Sequence, residues 1–65
     1  MTKQEIANEL KELAEHMERI GNAMYQYGMD DGHWLAHATQ IYGASRMAKK
    51  WVIKILKEVA EESGQ

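Results

Sequence analysis

Cysteine, proline and phenylalanine are all absent from this 65-residue chain, and glycine occurs at only five positions. Without cysteine there can be no disulfide framework and no structural zinc site of the cysteine-containing kinds. Without proline, regular structure is expected to break only where glycine and aspartate cluster, at 28–32. A chain this short buries only about 60% of the surface that it exposes when unfolded. It therefore needs a further source of stability, and self-association is the one that remains.

The sequence also lacks a long apolar run. No segment approaches the roughly 20 apolar residues of a membrane span, and the polar start at 1–5 has no apolar core of a signal peptide. We therefore expect a soluble protein of the cytoplasm, or of the host cytoplasm if a phage encodes it, without membrane contact. The formal net charge of −2 argues against bulk attraction to nucleic acid but leaves local patches open.

The first half of the chain has the pattern of one amphipathic helix. Thr2 and Glu5 have the spacing of a capping box, which predicts a helix start near residue 3. Gly28 is expected to end this helix, at about 3–27, by taking the left-handed conformation. Between these points apolar residues alternate in steps of four and three, which defines a heptad seam. The seam consists of Ile6, Leu10, Leu13, Met17, Ile20, Met24 and Tyr27.

Small residues recur beside this seam at every seventh position, at Ala7, Ala14, Gly21 and Gly28. Alanine is a good helix former, which explains two of them without any packing role. A glycine inside a helix costs about 1 kcal/mol relative to alanine, so Gly21 indicates a steric requirement. We expect Ala7, Ala14 and Gly21 to form a close-packing stripe for a neighbouring helix.

The second helix is expected over about 32–62, after a turn at 28–31 and with Asp30 or Asp31 as N-cap. Projected at 100° per residue, its apolar positions cover a wider arc than one facing helix can bury. The predicted fold class is all-α, with one domain at 1–65. It is a two-helix antiparallel hairpin that dimerises into a four-helix bundle. The residues expected in the core or dimer interface are the seam from Ile6 to Met24 and Trp34, Ile41, Tyr42, Ala48, Val52, Ile55, Leu56 and Val59.

No pattern in the chain indicates catalysis or a cofactor, since no nucleophile with a base, glycine-rich phosphate loop or pair of inward carboxylates is recognisable. His33 and His37 lie one helical turn apart, a spacing that lets two imidazoles share a metal, with Asp30 or Asp31 nearby. Solvated or packed histidines explain the same spacing and are favoured. We predict no enzymatic activity, no cofactor and no metal.

The outer side of the second helix gathers five of the eight basic residues, and this group is called the basic sector: Arg46, Lys49, Lys50, Lys54 and Lys57. We expect Glu5, Glu9 and Glu12 of the first helix to lie opposite and partly neutralise it. Contact with RNA or DNA, and contact with an acidic protein, are the alternatives.

Apolar side chains lie within or beside the basic sector. Aromatic residues, methionine and arginine are enriched at protein interfaces, so the mixture is typical of a docking surface. The candidates for partner binding are therefore the basic sector and Met47, Trp51 and Ile53.

The opening Met1-Thr2-Lys3-Gln4-Glu5, the length and a turn near residue 30 resemble the Rop family of plasmid copy-number regulators. The resemblance implies a dimeric four-helix bundle that binds paired RNA loops. Only Lys3 matches an RNA-contacting position of that family. The corresponding face of the first helix is acidic here, with Glu5, Glu9, Glu12, Glu15 and Glu18, and the apolar register differs.

Taken together, these patterns favour a small non-enzymatic regulator. We expect a homodimer that binds and modulates, most simply by inhibiting, another protein. A phage or mobile-element accessory factor that acts on a host transcription regulator or defence system fits this description by analogy. The alternatives are a Rop-like RNA- or DNA-binding bundle that uses the basic sector, and a purely structural subunit.

Overall fold

The two halves of the chain form two helices that pack side by side in opposite directions. In the computed structural model, which describes residues 1–64, α1 spans Lys3–Gly28 and α2 spans Gly32–Ser63. Residues 29–31 connect the helices, and the hairpin is 54 Å long. The predicted all-α helical hairpin is confirmed. Neither helix in this part of the chain is long and apolar enough to cross a bilayer.

Each helix begins with a side-chain cap. The Thr2 hydroxyl accepts a hydrogen bond from the Glu5 main-chain N–H, and the Glu5 carboxylate accepts one from the Thr2 N–H, which completes the capping box. The bond from the Thr2 main chain lowers the pKa of Glu5, because it stabilises the ionised carboxylate. At the start of α2, the Asp31 carboxylate accepts from the His33 N–H at 2.9 Å, so Asp31 is the N-cap.

The end of α1 differs from the expectation. The helix continues through Gly28, and no glycine among residues 1–64 has a positive φ. The prediction of a left-handed Gly28 was wrong. A Cβ at this position would lie 2.8 Å from the main-chain N and Cα of Leu35, so the close approach of α2 requires the glycine.

The interface between the two helices consists of small residues. The buried positions are Ala7, Ala14, Gly21 and Gly28 on α1, and Ala38, Ser45, Ala48 and Val52 on α2. Within the described part of the chain, no large side chain is fully buried. The hairpin therefore holds together through close backbone approach and leaves its large apolar side chains at its surface.

Two contacts show how close the helices come. The Ser45 hydroxyl donates a 2.8 Å hydrogen bond to the main-chain carbonyl of Ala14 on the other helix. A Cβ at Gly21 would lie 2.9 Å from Cε1 of Tyr42 and 3.4 Å from Cγ2 of Ile41. A side chain at Gly21 would therefore have to displace the Tyr42 ring.

Candidate interaction surfaces

One side of the hairpin is almost entirely apolar. In a helix, successive residues are rotated by about 100° around the axis. The residue directly before a buried position is therefore rotated about 100° from it, and the residue three positions after it is rotated about 60° in the same direction. On α1 these positions are the seam, and in an antiparallel pair the matching positions of α2 lie on the same side of the hairpin. We call this surface the apolar face: Ile6, Leu10, Leu13, Met17, Ile20, Met24 and Tyr27 of α1, and Trp34, His37, Ile41, Ala44, Ala48, Trp51 and Ile55 of α2.

Most of the apolar face is open. Leu13 is 50% exposed, Ile20 41% and Trp51 53%, whereas Ile41 and Ile55 are half-buried. The rings of Tyr27 and Trp34 lie 5.4 Å apart and close the face at the turn. An apolar surface that runs along both helices is much larger than the scattered apolar residues of ordinary protein surfaces.

The charges on this side are confined to the end of the hairpin that holds the termini. Lys3 lies 3.6 Å from a Glu58 carboxylate oxygen and also contacts Glu62. The hydrogen bond to Glu62 raises the pKa of Lys3 above its ordinary value. Between this cluster and the turn, no lysine, arginine, aspartate or glutamate occupies the apolar-face positions of either helix within residues 1–64.

The opposite side of the hairpin is polar, and hydrogen bonds between side chains join the two helices there. The Tyr42 hydroxyl donates a hydrogen bond to the side-chain oxygen of Asn22, and the Lys49 ammonium donates one to Glu18 at 2.6 Å. The bond from Lys49 lowers the pKa of Glu18. Leu56 also lies on this side, so the structure separates Tyr42 and Leu56 from the rest of the predicted interface. Val52 and Val59 lie along the line between the helices, with Val52 buried and Val59 half-buried.

The basic sector is less neutralised than expected. Lys49 pairs with Glu18, whereas the predicted pairing with Glu5, Glu9 and Glu12 was wrong, since none of these carboxylates forms an ion pair with the sector among residues 1–64. The seven-residue steps of the interface place those acidic residues away from the contact line. Within the same range, Arg46, Lys50, Lys54 and Lys57 have no carboxylate partner.

Apolar side chains accompany these cations, as the sequence suggested. Ile53 is 68% exposed and Met47 is 63% exposed. The Lys54 ammonium lies 5.1 Å from the centroid of a Trp51 ring, a cation–π contact that joins the basic sector to the edge of the apolar face. This outer side of α2 therefore combines positive charge with apolar and aromatic area.

His33 and His37 do approach each other, with ring centroids 4.4 Å apart. No group of three or more His, Asp or Glu side chains in residues 1–64 is arranged to enclose a metal ion. Asp31, named as a possible third ligand, uses its Oδ1 to cap α2.

The α2 half of the close-packing stripe was not singled out from the sequence. Ala38, Ser45 and Val52 follow one another at seven-residue steps, as Ala7, Ala14 and Gly21 do on α1. The seven-residue spacing of small residues on both helices could have predicted this pairing, because two helices in close contact need matching lines of small residues. Comparisons with protein-family models, curated proteins and solved structures found no match.

Proposed function

We propose that two copies of this chain pack their apolar faces together and form a four-helix bundle. The observation that carries the proposal is the small-residue interface between the helices, because it leaves the large apolar side chains of the hairpin without full burial. A hairpin of this size with half-exposed leucine, isoleucine, methionine and tryptophan side chains is poorly stabilised alone. A second copy offers the same apolar surface, as a two-fold interface requires.

The charge distribution supports the same arrangement. Burial of an unpaired charge costs several kcal/mol, and the apolar face holds its charged side chains only at the end near Lys3 and Glu58, where they already pair. Two such faces can therefore meet along most of their length without desolvating an ion.

Sedimentation equilibrium at micromolar concentration tests the dimer. The wild type is expected at twice the chain mass, and Leu13→Glu at the chain mass or unfolded, because the carboxylate would be buried in the interface. Ile53→Glu is the matched control, since Ile53 is more exposed than Leu13 and lies off the apolar face. A folded, monomeric wild type, or a dimer unaffected by Leu13→Glu, would contradict the proposal.

The dimer is proposed to act without catalysis, as a regulator that binds and modulates another protein through the outer side of α2. The unpaired cations of the basic sector beside Met47, Ile53 and Trp51 support this role, because the mixture fits an acidic partner that also offers an apolar contact. By analogy with small accessory proteins of phages and mobile elements, the partner would be a host transcription regulator or defence protein that the dimer inhibits.

Affinity capture from nuclease-treated lysate of the native host, followed by mass spectrometry, tests the partner proposal. Wild type and Arg19→Glu should retain a protein that Lys50→Glu and Ile53→Glu lose, with the dimer intact in all four. Arg19→Glu and Lys50→Glu change the net charge equally, so a difference between them reflects position. Recovery of nucleic acid alone from untreated lysate, with no protein retained after nuclease, would contradict protein binding.

Nucleic-acid binding by the dimer is the second candidate function. The observation in its favour is that Arg46, Lys50, Lys54 and Lys57 are free of carboxylates within residues 1–64 and share one side of α2. Binding to phosphates releases counterions, so affinity for RNA or DNA would fall steeply as salt rises, whereas an apolar protein interface would change little. Lys50→Glu would weaken nucleic-acid binding, and Met47→Ala would leave it intact.

A further inference from the structure

Two imidazole nitrogens converge at the beginning of α2. Nε2 of His33 and Nε2 of His37 lie 3.1 Å apart, and their rings meet edge to face with an interplanar angle of 83°. Both side chains are exposed in the single hairpin; His37 lies on the margin of the apolar face and His33 lies outside it, so the point between the two nitrogens opens away from the proposed dimer interface.

A third side chain favours one tautomer of His37. Oε1 of Gln40 lies 3.3 Å from Nδ1 of His37, and in the tautomer with the proton on Nδ1 the ring donates a hydrogen bond to this oxygen. Nε2 of His37 then has a free lone pair, which accepts from Nε2–H of His33. Histidines that bind metals usually donate their other N–H to such an outer partner. In this tautomer, Nε2 of His37 is available as a metal ligand.

The distance between the two nitrogens suits one metal ion. Two nitrogens 3.1 Å apart can both lie about 2.1 Å from an ion, with an N–metal–N angle of about 95°. This angle is nearer to the right angle of square or octahedral coordination than to the tetrahedral angle that Zn²⁺ prefers.

We propose that His33 and His37 form a surface site for a divalent transition-metal ion, with Cu²⁺ bound more tightly than Ni²⁺ and Zn²⁺. Both Nε2 atoms ligate the ion, and water fills the other positions. On binding, the His33 proton moves from Nε2 to Nδ1, so the neutral rings gain and lose no net proton. The preference for Cu²⁺ follows from the ligand angle and from the general affinity order of imidazole sites.

Isothermal titration of the untagged protein with Cu²⁺, Ni²⁺, Zn²⁺ and Mg²⁺ tests the site. We expect one Cu²⁺ per chain, weaker Ni²⁺ and Zn²⁺ binding and no heat from Mg²⁺. His33→Ala and His37→Ala should each weaken Cu²⁺ binding at least tenfold, because one ligand of two is lost. His16→Ala removes the remaining histidine of the chain and should leave the affinity unchanged. Gln40→Ala should weaken binding about tenfold, as loss of an outer partner does.

Selective broadening of proton NMR signals by substoichiometric Cu²⁺ gives a second measurement that does not depend on heats. The ring signals of His33 and His37 should disappear first and those of His16 last. Binding that survives in the His33→Ala/His37→Ala double variant, or that His16→Ala weakens equally, would overturn the proposal. Circular dichroism verifies that each variant keeps the wild-type helix content.

Discussion

The Ser45 hydroxyl donates a 2.8 Å hydrogen bond to the main-chain carbonyl oxygen of Ala14, and both residues are buried between the helices. A serine side chain is short, so it reaches the backbone of a neighbouring helix only where the two helices lie very close. The bond also satisfies the one buried polar side chain among residues 1–64, and an unsatisfied hydroxyl there would oppose packing.

Ser45→Ala is expected to destabilise the protein by about 0.5–1.5 kcal/mol, the usual net contribution of a hydrogen bond. Urea unfolding at fixed protein concentration measures the change. Thr39→Ala is the control, because the Thr39 hydroxyl bonds within its own helix, to the Leu35 carbonyl, and is exposed. Equal losses of unfolding free energy from both substitutions would contradict a stabilising role of the hydrogen bond between the helices.

Two glycines of the chain should respond in opposite directions to the same substitution. Gly28→Ala places a Cβ 2.8 Å from the Leu35 main chain, which cannot move aside easily, so we expect a lower melting temperature. Gly43 is also helical, but a Cβ there meets nothing within 4 Å, so Gly43→Ala should stabilise by about 1 kcal/mol. Thermal unfolding followed by circular dichroism compares the two. Stabilisation by both would contradict the close approach at Gly28.

Ala14→Leu is expected to cost roughly 1–3 kcal/mol, because a large side chain would overfill the stripe and separate the helices. Ala36→Leu provides the matched control at an exposed position of α2. Chemical denaturation gives both values. If Ala14→Leu has no larger effect than the control, close packing at the stripe is not what stabilises the hairpin.

The ion pair between Glu18 and Lys49 has a pH signature. Its hydrogen bond lowers the pKa of Glu18 below the ordinary 4.5. A lowered folded-state pKa means that the pair stabilises the fold at neutral pH, and this contribution is lost as pH falls through the folded pKa, below 4.5. Carboxyl chemical shifts in an NMR titration should show the Glu18 pKa rising towards its ordinary value in Lys49→Gln. Lys54→Gln should leave it unchanged.

Much of the fold could be predicted from the sequence, because periodic patterns fix angles around a helix. The capping box at Thr2, the single turn region and the two long helices all follow from local chemistry. Periodicity does not say which neighbour covers a given stripe, however. The seam and the small-residue stripe are adjacent on α1, and only the structure shows that the stripe faces α2 and the seam faces outward. Gly28 was misjudged for the same reason, since its neighbour Leu35 belongs to the other helix.

The surfaces were predictable to a similar degree. The cluster from Arg46 to Lys57 is visible in the sequence, since residues of one helix share a side by simple spacing. The sequence did not predict which carboxylates neutralise this cluster, because ion pairs between helices depend on how the helices are rotated relative to each other. Glu18 lies close enough to Lys49, whereas Glu5, Glu9 and Glu12 do not. The close approach of His33 and His37 was predictable only in part. Their spacing in the sequence allows the rings to meet, but whether they do depends on the side-chain rotamers.

Because small residues repeat every seven positions along the interface, the interface alone does not fix how far one helix is shifted along the other. A slide of α2 by one period, about 10 Å, would again set small residues against small residues. Residues 29–31 could follow such a slide only by extending fully or by unwinding a helix end, so the short connection favours the native alignment. A version with a long flexible connection would lose this selection, and slipped hairpins or helices exchanged between chains would then compete with the native pairing.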